Sequence, residues 1–425
     1  MNRSFFSITH SPKLEGTVTV SGSKNASMVM LISSILAKGT SVFRNVPAIA
    51  DIIEICKLLT NVGAQVVHDP THSTVIINTE HITSTALSYE QMKTTRASIL
   101  LLGPLLARFG YAQLGFPGGD SIGARPIDLH ISALQKLGVI TNTYPTYIQA
   151  QTNKLCPARI VLAYPSVGAT ENCLMAATLA TGTTTIINAA IEPEVIDLIR
   201  LLQKMGAHIA IEAPATIKIN GVKQLVPVEY TIMPDRLEAG ALLIAAGMTQ
   251  GDITVTNIKP DLLDVPLLKL EEMGFALTYT HGKPGVRIKA TSRPKAISIK
   301  TGPYPQFPTD LQAPMMALCT IAKGTSIIDE TVFENRMKHA SELHRMGASI
   351  NVSHNNKAVI NGADELSGTS VAGEDIRAVC ALVLAGLAAE GNTHVYGVAH
   401  WKRGFEKLDQ SLNSVGASMT LVEKA

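Results

Sequence analysis

Two patterns of apolar and polar positions run through this chain. Short runs in which the two types alternate weakly, such as Ile350–Ser353, predict strands with one face exposed to water. Longer stretches, such as Ser98–Ala107 and Ala378–Ala389, are apolar nearly all round and predict helices that lie inside the fold. The interleaving of the two patterns predicts an α/β protein.

One succession of elements recurs six times: an apolar helix, a short strand, a second helix that closes on glycine, and a further strand. The closing glycines are separated by 75, 68, 68, 73 and 69 residues, and they are Gly63, Gly138, Gly206, Gly274, Gly347 and Gly416. A period of roughly 70 residues marks a repeated supersecondary unit. Each glycine is expected to end its helix at positive φ. Six units predict two domains, each a pseudo-threefold set of three repeats with buried helices.

The domain boundaries follow from a strand predicted at Gly16–Val20, before the first repeat. We expect this strand to join the last three repeats. The predicted domains are therefore residues 24–235, which carry a loop at 116–126, and residues 1–23 together with 236–425. A ligand site between two such domains is the expectation for this organisation.

Composition narrows the classes of function. The net charge is +2 and no basic run resembles a nucleic-acid arm. The longest apolar run, Ala378–Ala389, is shorter than the roughly 20 residues of a membrane span. Met1–Phe6 lacks the apolar core of a secretion signal, and the five cysteines are scattered without the spacing of a zinc site. We expect a cytoplasmic protein with reduced thiols, no metal, and no nucleic-acid or membrane partner.

The loop at Phe116–Pro126 is the most distinctive stretch of the chain. Its glycines and prolines exclude a helix or a central strand, and it carries Asp120 and Arg125. Well-buried apolar elements are predicted on both sides. Two interpretations stay open: a surface turn with incidental charges, or a mobile lid that carries chemistry.

Polar residues interrupt the repeats where helices begin. Lys24 is either a solvated lysine or a group that holds an anion with the help of backbone N–H groups. Ser166–Asn172 is either a plain capping sequence or a grip for a diphosphate. Asp310, before an apolar helix predicted at Ala313–Ala322, is either an N-cap or a reactive carboxylate.

Further cations lie at or near predicted helix starts, where a positive charge opposes the helix dipole. Arg336, Arg377 and Arg403 share this placement with Lys24, in what the repeat predicts to be equivalent positions, and Arg125 lies on the loop. Because guanidinium groups match carboxylate and phosphate geometry, this set indicates binding of a multiply charged anion.

Several blocks, in order and at matching spacing, resemble a known family: Ser23–Asn25, Arg96–Ser98, Pro117–Gly119, Ile122–His130, Ser166–Asn172, Phe307–Gln312, Glu330–Arg336 and Arg403–Gly404. From residue 12 to 420 the sequence resembles the UDP-N-acetylglucosamine 1-carboxyvinyltransferases, of the EPSP synthase/enolpyruvyl transferase family. The resemblance implies an inside-out α/β barrel in each domain and no cofactor. It also implies transfer of the enolpyruvyl group of phosphoenolpyruvate to the 3′-hydroxyl of UDP-N-acetylglucosamine, with release of phosphate through a tetrahedral intermediate, as the first committed step of peptidoglycan synthesis.

The resemblance also assigns roles. Phosphoenolpyruvate would be held by Lys24, Asn25, Arg125, Arg336, Arg377 and Arg403. Asp310 would take the proton of the sugar hydroxyl, and Asp120, Lys24 and Arg403 complete the implied catalytic set. The nucleotide sugar would be contacted by Asn25, Arg96, Arg125, Pro126, Ile127, Asp128, Leu129, Tyr164, Pro165, Ser166, Val167, Gly168, Asp310 and Val332.

Asp120 departs from the family pattern. Most members have cysteine there, as the acid that protonates the methylene carbon of phosphoenolpyruvate and as the target of fosfomycin, so Asp120 implies fosfomycin resistance. In water the pKa of a cysteine thiol is about 8.5 and that of an aspartic acid about 3.9. Our hypothesis is that substrate charge and loss of water on closure raise the pKa of Asp120, which makes it a competent acid only in the closed complex.

A second departure leaves two other functions open. Ala26–Met30 differs from the Ala-Ala-Leu-Pro that the family favours. Either this is ordinary sequence drift, or the chain has diverged to act on a nucleotide sugar other than UDP-N-acetylglucosamine. Asp128, Ser166 and Gly168 argue against another acceptor because they match uridine diphosphate contacts. A catalytically silent, nucleotide-sugar-binding homologue is disfavoured because the cations and Asp310 are all retained. The expected assembly is a monomer.

Overall fold

A computed structural model describes residues 4–280, 282, 284–354 and 356–423. Met1–Arg3, part of the stretch read for a secretion signal, and the last two residues of the second predicted domain lie outside the described residues. Two compact units are present. The terminal unit comprises the chain up to Ser21, Ser121–Arg125, and the chain from Pro234 onward; the central unit comprises Gly22–Asp120 and Pro126–Met233.

The described residues form 24 strands: β1 (Phe5–Thr9), β2 (Glu15–Thr19), β3 (Thr40–Arg44), β4 (Gln65–Asp69), β5 (Thr74–Asn78), β6 (Ala86–Leu87), β7 (Tyr111–Gly115), β8 (Ile140–Thr143), β9 (Tyr147–Gln151), β10 (Arg159–Val161), β11 (Thr183–Ile187), β12 (His208–Glu212), β13 (Thr216–Asn220), β14 (Glu229–Thr231), β15 (Asp252–Thr256), β16 (Ala276–Tyr279), β17 (Gly285–Lys289), β18 (Ser298–Lys300), β19 (Thr325–Asp329), β20 (Ser349–Val352), β21 (Lys357–Asn361), β22 (Ser370–Ala372), β23 (Asn392–Tyr396) and β24 (Met419–Val422).

They also form 14 α-helices: α1 (Lys24–Ser33), α2 (Ala50–Asn61), α3 (Tyr89–Met92), α4 (Leu102–Phe109), α5 (Asp128–Lys136), α6 (Val167–Ala177), α7 (Pro193–Lys204), α8 (Arg236–Met248), α9 (Asp264–Glu272), α10 (Gln312–Cys319), α11 (His339–Arg345), α12 (Ile376–Ala388), α13 (Val398–Gly404) and α14 (Leu408–Ser414). Short 3₁₀ segments lie at Ser34–Leu36, Arg96–Leu101, Pro260–Leu262 and Thr309–Leu311. Within the described ranges no helix has the length and apolarity to cross a membrane.

Six four-stranded sheets share one topology. An edge strand runs parallel to the second strand, and the second, third and fourth are antiparallel. In the central unit the orders are β14-β3-β5-β4, β6-β7-β9-β8 and β10-β11-β13-β12. In the terminal unit they are β2-β15-β17-β16, β18-β19-β21-β20 and β22-β23-β1-β24. The predicted sixfold repeat is therefore confirmed.

Three sheets borrow a strand from a distant part of the chain. The strand predicted at Gly16–Val20 is β2, which pairs with β15 in the terminal unit. β14 completes the first sheet of the central unit beside β3. β1, which the sequence pattern did not predict, lies between β23 and β24.

The six closing glycines behave as predicted. Helices α2, α5, α7, α9, α11 and α14 each end two residues before one of them. All six have positive φ, from +90° at Gly138 to +108° at Gly416. A residue without a Cβ relieves the steric cost of this conformation, so the helix stops there and the chain turns into the next strand.

One helix in each repeat is buried on nearly all sides, as predicted. All 13 residues of α8 are buried, and so is every residue of α12 except Ala388. These helices pack against their sheets, α8 on β15 and α12 on β23. The apolar side chains form one core in each unit. The helix predicted at Ser98–Ala107 is divided, because its first part is the 3₁₀ segment Arg96–Leu101 and α4 begins only at Leu102.

A buried carboxyl group lies in α8. Glu238 is 3% exposed, and its Oε1 accepts hydrogen bonds from the backbone N–H of Ser21 at 3.4 Å and from its hydroxyl at 3.3 Å. Burial and the neighbouring charges of Asp235 and Glu406 raise the pKa of Glu238 to about 8, although the Ser21 hydrogen bonds oppose the shift. The folded protein therefore holds this proton over a pH range in which the unfolded chain has lost it.

We expect Glu238→Gln to stabilise the protein at alkaline pH. A raised folded-state pKa contributes stability that is complete below the unfolded value, near 4.5, and is lost as pH rises through about 8. Glutamine keeps the acceptor and cannot ionise. The Tm measured by calorimetry should exceed that of the wild type at pH 9 by roughly 4 °C or more, and the difference should vanish near pH 4.5. Glu365→Gln, at an exposed position, is the control; a Tm difference for Glu238→Gln that does not vary with pH would contradict the burial argument.

Candidate functional site

In the terminal unit, the Asp310 carboxylate lies between two arginines. Its Oδ1 is 2.5 Å from Nη2 of Arg336, and its Oδ2 is 3.0 Å from Nη2 of Arg377. Both guanidinium side chains are nearly buried, at 6% and 7% exposed. The capping alternative for Asp310 is wrong, because α10 begins after Leu311 with no side-chain cap. The sequence pattern cannot show a carboxylate's partners when they are remote in the chain.

The two arginines determine the charge state of Asp310. Burial alone raises the pKa of this carboxyl, but the charges and hydrogen bonds of Arg377 and Arg336 outweigh burial and hold it far below its usual range. In turn, burial lowers the pKa of Arg377, but Asp310, Asp235 and Cys380 together more than offset that effect and raise it. The cluster therefore combines one ionised carboxylate with two cations, which leaves a net positive charge for an anionic ligand.

Arg336 is held in place by a second pair of residues that sequence reasoning missed. Its Nη1 donates to the Thr309 hydroxyl at 2.8 Å, and that hydroxyl donates to Glu330 at 2.8 Å. Glu330, 2% exposed, also accepts from the backbone N–H groups of Val332 and Phe333 at 2.8 and 3.2 Å. One buried carboxylate thus fixes both the arginine and the turn that carries Val332.

The cations do not occupy equivalent places in the repeats. Lys24 and Arg377 are the first and second residues of the buried helices α1 and α12. Arg336 instead lies in a turn before α11, and Arg403 lies in the last turn of α13, where the dipole favours a cation. The predicted equivalence is therefore wrong for Arg336 and Arg403, because both lie outside the buried helices.

The tip of the glycine-rich loop, Ser121–Arg125, belongs to the terminal unit, whereas Asp120 belongs to the central unit. The backbone N–H of Asn335 donates to the Ile122 carbonyl at 3.1 Å. The guanidinium of Arg125 lies 5.7 Å from the centre of the Phe333 ring, and that of Arg336 lies 5.2 Å from it. Arg125 is thereby placed beside the same turn as the Asp310 cluster, with its backbone in a left-handed conformation at φ +45°.

In the central unit, Lys24 is paired and buried. Ser23 caps α1 by accepting from the Ala26 N–H at 3.3 Å. Lys24 Nζ lies 2.8 Å from Oδ2 of Asp51, and the two side chains are 9% and 4% exposed. The alternative of a solvated lysine is wrong, and Asp51 is a partner that the sequence did not indicate. Asn25, the next residue, is partly exposed.

The remaining candidates of the central unit lie at three helix starts. Ser166 caps α6 by accepting from the Ala169 N–H at 3.4 Å, so the capping alternative is confirmed, and the diphosphate alternative stays a prediction. Tyr164 and Val167 are exposed at 40% and 36%. Arg96 begins the 3₁₀ segment before α4. Pro126, Ile127, Asp128 and Leu129 lead into α5, whose first residue is Asp128.

Asn172 and His130 join these helix starts. Sequence reasoning included Asn172 only as the end of the segment Ser166–Asn172, and it assigned His130 no role. The Asn172 side chain accepts from the Gly103 N–H at 2.8 Å and donates to the Ile99 carbonyl at 3.1 Å. Its Nδ2 is also 2.8 Å from Nδ1 of His130. Among the described residues no group of His, Cys, Asp and Glu is arranged to hold a metal ion.

Comparison with known proteins gives concordant matches. Residues 8–412 match the family model for EPSP synthase (3-phosphoshikimate 1-carboxyvinyltransferase). The chain is 44% identical to UDP-N-acetylglucosamine 1-carboxyvinyltransferase 1 of Caldanaerobacter subterraneus subsp. tengcongensis, over 97% of this chain and 98% of the relative. It is 45% identical to the UDP-N-acetylglucosamine 1-carboxyvinyltransferase of Geobacter metallireducens, with the same coverage.

Solved structures share the fold. The enolpyruvyl transferase NikO from Streptomyces tendae superposes with a TM-score of 0.88 at 24% identity, over the whole of both chains. EPSP synthase from Acinetobacter baumannii gives a TM-score of 0.77 at 18% identity, over 99% of this chain and 100% of that one. With the sixfold repeat and the buried helices, these matches show that the chain belongs to the EPSP synthase family of enolpyruvyl transferases, and that within it the chain is similar to the UDP-N-acetylglucosamine 1-carboxyvinyltransferases.

Proposed function

We propose that this chain transfers the enolpyruvyl group of phosphoenolpyruvate to the 3′-hydroxyl of UDP-N-acetylglucosamine and releases phosphate, in the first committed step of peptidoglycan synthesis. Two UDP-N-acetylglucosamine 1-carboxyvinyltransferases are 44% and 45% identical to this chain over nearly its whole length, which supports UDP-N-acetylglucosamine as the acceptor. The observation that carries the chemistry is the Asp310 carboxylate between two buried arginines. It combines a base with cations suited to a substrate that bears phosphate and carboxylate groups.

The reaction requires one proton to leave oxygen and another to reach carbon. As the acceptor oxygen attacks the central carbon of phosphoenolpyruvate, Asp310 takes the proton of the 3′-hydroxyl and Asp120 gives a proton to the methylene carbon. The tetrahedral intermediate then loses phosphate, and loss of a methyl proton restores the double bond. Lys24, Arg125 and Arg403 stabilise the phosphate and carboxylate charges, with Arg336 and Arg377.

The arginine pair also controls how basic Asp310 is. While both guanidinium groups are held by the carboxylate, its low pKa makes it a weak base. An anionic substrate that engages Arg336 or Arg377 draws positive charge away from Asp310 and raises the pKa of the carboxyl. In this proposal, Asp310 becomes an effective base only when phosphoenolpyruvate is bound.

The nucleotide sugar is assigned to Asn25, Arg96, the segment Arg125–Leu129, the segment Tyr164–Gly168, and Val332. The start of α6 supports this assignment, because the first N–H groups of a helix attract phosphate. The departure at Ala26–Met30 gives no support for another acceptor, since Ala26, Val29 and Met30 are fully buried in the core. We also propose that the protein is a monomer, that it acts in the cytoplasm, and that it uses neither a metal nor a cofactor.

Fosfomycin tests the role of Asp120. We expect phosphate release by the wild type to survive preincubation with fosfomycin, because a carboxylate replaces the reactive thiol. Asp120→Cys should become sensitive, and its kcat should follow a different pH profile because the acid has changed. Cys156→Ser is the control, since Cys156 is the exposed cysteine of the chain. Loss of wild-type activity after preincubation, or identical pH profiles of Asp120→Cys and wild type, would contradict the role of Asp120 as the acid.

Asp310→Ala separates chemistry from binding. Loss of a general base lowers kcat by about 10²–10⁴-fold, whereas calorimetry should show that UDP-N-acetylglucosamine still binds. Asp364→Asn is the control, because Asp364 also pairs with an arginine but is 96% exposed; its kcat should stay at the wild-type level. A silent homologue would show no wild-type turnover, and an unchanged kcat in Asp310→Ala would exclude Asp310 as the base.

A further inference from the structure

Glu330 is a buried carboxylate to which the proposed reaction assigns no role. The residue is 2% exposed, and its two oxygens accept three hydrogen bonds. Oε1 accepts from the backbone N–H groups of Val332 and Phe333 at 2.8 and 3.2 Å, and Oε2 accepts from the Thr309 hydroxyl at 2.8 Å. Because a buried carboxylate is costly unless its oxygens are hydrogen-bonded, these bonds fix the orientation of the side chain.

The backbone around Glu330 is fixed as well. Its N–H donates to the Asn356 carbonyl at 3.0 Å. The next residue, Thr331, donates from its N–H to the Thr301 hydroxyl at 2.9 Å and from its hydroxyl to the Thr301 carbonyl at 2.7 Å. Since Thr301 is fully buried, the residue that follows β19 is anchored to the interior of the terminal unit and provides a rigid support.

The direction of each hydrogen bond between Arg336 and Glu330 follows from the groups involved. A guanidinium can only donate, so the Thr309 oxygen accepts from Nη1 of Arg336 at 2.8 Å. The single hydrogen of the hydroxyl is then available for Glu330, whose carboxylate oxygen accepts it. Glu330 therefore orients the Thr309 hydroxyl so that a lone pair of its oxygen faces the arginine.

The Thr309 hydroxyl is one of two hydrogen-bond acceptors that Arg336 has in the described part of the chain. The other is Oδ1 of Asp310, which accepts from Nη2 at 2.5 Å. Nε of Arg336 is buried and has no hydrogen-bond partner among the described residues. A substrate that takes Nη2 from Asp310 therefore leaves the Thr309 hydroxyl as the acceptor that keeps the guanidinium in place.

We propose that Glu330 positions Arg336 for the reaction by orienting the Thr309 hydroxyl. When phosphoenolpyruvate draws Arg336 away from Asp310, this hydroxyl keeps the guanidinium at the substrate. The inference rests on the proposed function, because that function supplies the anion and the role of Asp310. The competing explanation is purely structural: Glu330 would only close the turn that follows β19, through the two backbone N–H groups that donate to it.

Two substitutions at Thr309 test the hydroxyl while leaving Glu330 and its turn in place. Valine has nearly the shape of threonine without the hydroxyl, and serine keeps the hydroxyl. Without it, Asp310 is the remaining acceptor for Arg336 and retains the arginine, so the base stays weak. Thr309→Val should therefore lower kcat by about tenfold or more, the effect expected when a hydrogen bond to a charged group is lost. Thr309→Ser should stay within about threefold of wild type.

Glu330→Gln tests whether the carboxylate acts through Thr309. The amide oxygen still accepts from the turn, but the amide NH₂ faces the hydroxyl and donates to it, so the hydroxyl loses its acceptor. This variant should also lose about tenfold in kcat. Because both changes break the same chain of hydrogen bonds, the double variant Glu330→Gln/Thr309→Val should be no slower than the slower single variant. Losses that multiply would show that Glu330 acts by another route and would overturn the proposal.

Steady-state kinetics of phosphate release by the full chain measure kcat, and the Tm of each variant is recorded beside it. Thr331→Val is the control, because it removes a hydroxyl bond in the same turn without touching the chain to Arg336; its kcat should match wild type. A structural role predicts that kcat follows Tm in every variant. Equal kcat values for Thr309→Val and Thr309→Ser, or an equal loss in Thr331→Val, would overturn the positioning role.

The outcome is separable from that of the proposed function. If wild type releases no phosphate from phosphoenolpyruvate with UDP-N-acetylglucosamine, the reaction is wrong, and calorimetric titration with phosphoenolpyruvate replaces kcat as the readout. Weaker binding by Thr309→Val than by Thr309→Ser then supports the positioning of Arg336, and equal binding overturns it. If wild type turns over and the two Thr309 variants do not differ, only the role of Glu330 fails.

Discussion

The constraint on which this structure depends is that one helix per repeat is buried on almost every side. Such a helix accommodates charged side chains most readily where its backbone also needs partners, in and around its first turn. Five of the candidate residues lie there. The positions are Lys24 in α1, Arg96 before α4, Ser166 at α6, Asp310 before α10 and Arg377 in α12.

Placing cations at these starts has an electrostatic cost, which nearby carboxylates offset. A positive charge in the first turn opposes the helix dipole and is partly desolvated. Asp51 pairs with Lys24, and Asp310 pairs with Arg377 and also with Arg336 from the turn before α11. Because these carboxylates already satisfy the cations, an anionic substrate must compete with them. In the proposed reaction this competition is useful, since it raises the basicity of Asp310 as the substrate binds.

The sequence was sufficient to predict the repeat, the closing glycines and the buried helices, because these depend on local patterns that recur six times. It did not reveal pairings between distant residues. Arg336 and Arg377 lie 26 and 67 residues from Asp310, so the local pattern around Asp310 favoured a cap. Asp51 and β1 were missed for the same reason. Arg403 was misplaced because α13 is not one of the recurring helices. The assignments of Asp120 and of the nucleotide-sugar contacts came from family resemblance and stay predictions.

The central claim concerns the acceptor, and the most direct measurement offers two of them side by side. Phosphate release from phosphoenolpyruvate is followed with UDP-N-acetylglucosamine or with 3-phosphoshikimate, and the products are identified by mass spectrometry. The account predicts one phosphate for each enolpyruvyl ether of UDP-N-acetylglucosamine, and no release with 3-phosphoshikimate. Turnover of 3-phosphoshikimate, or no release with UDP-N-acetylglucosamine, would contradict it.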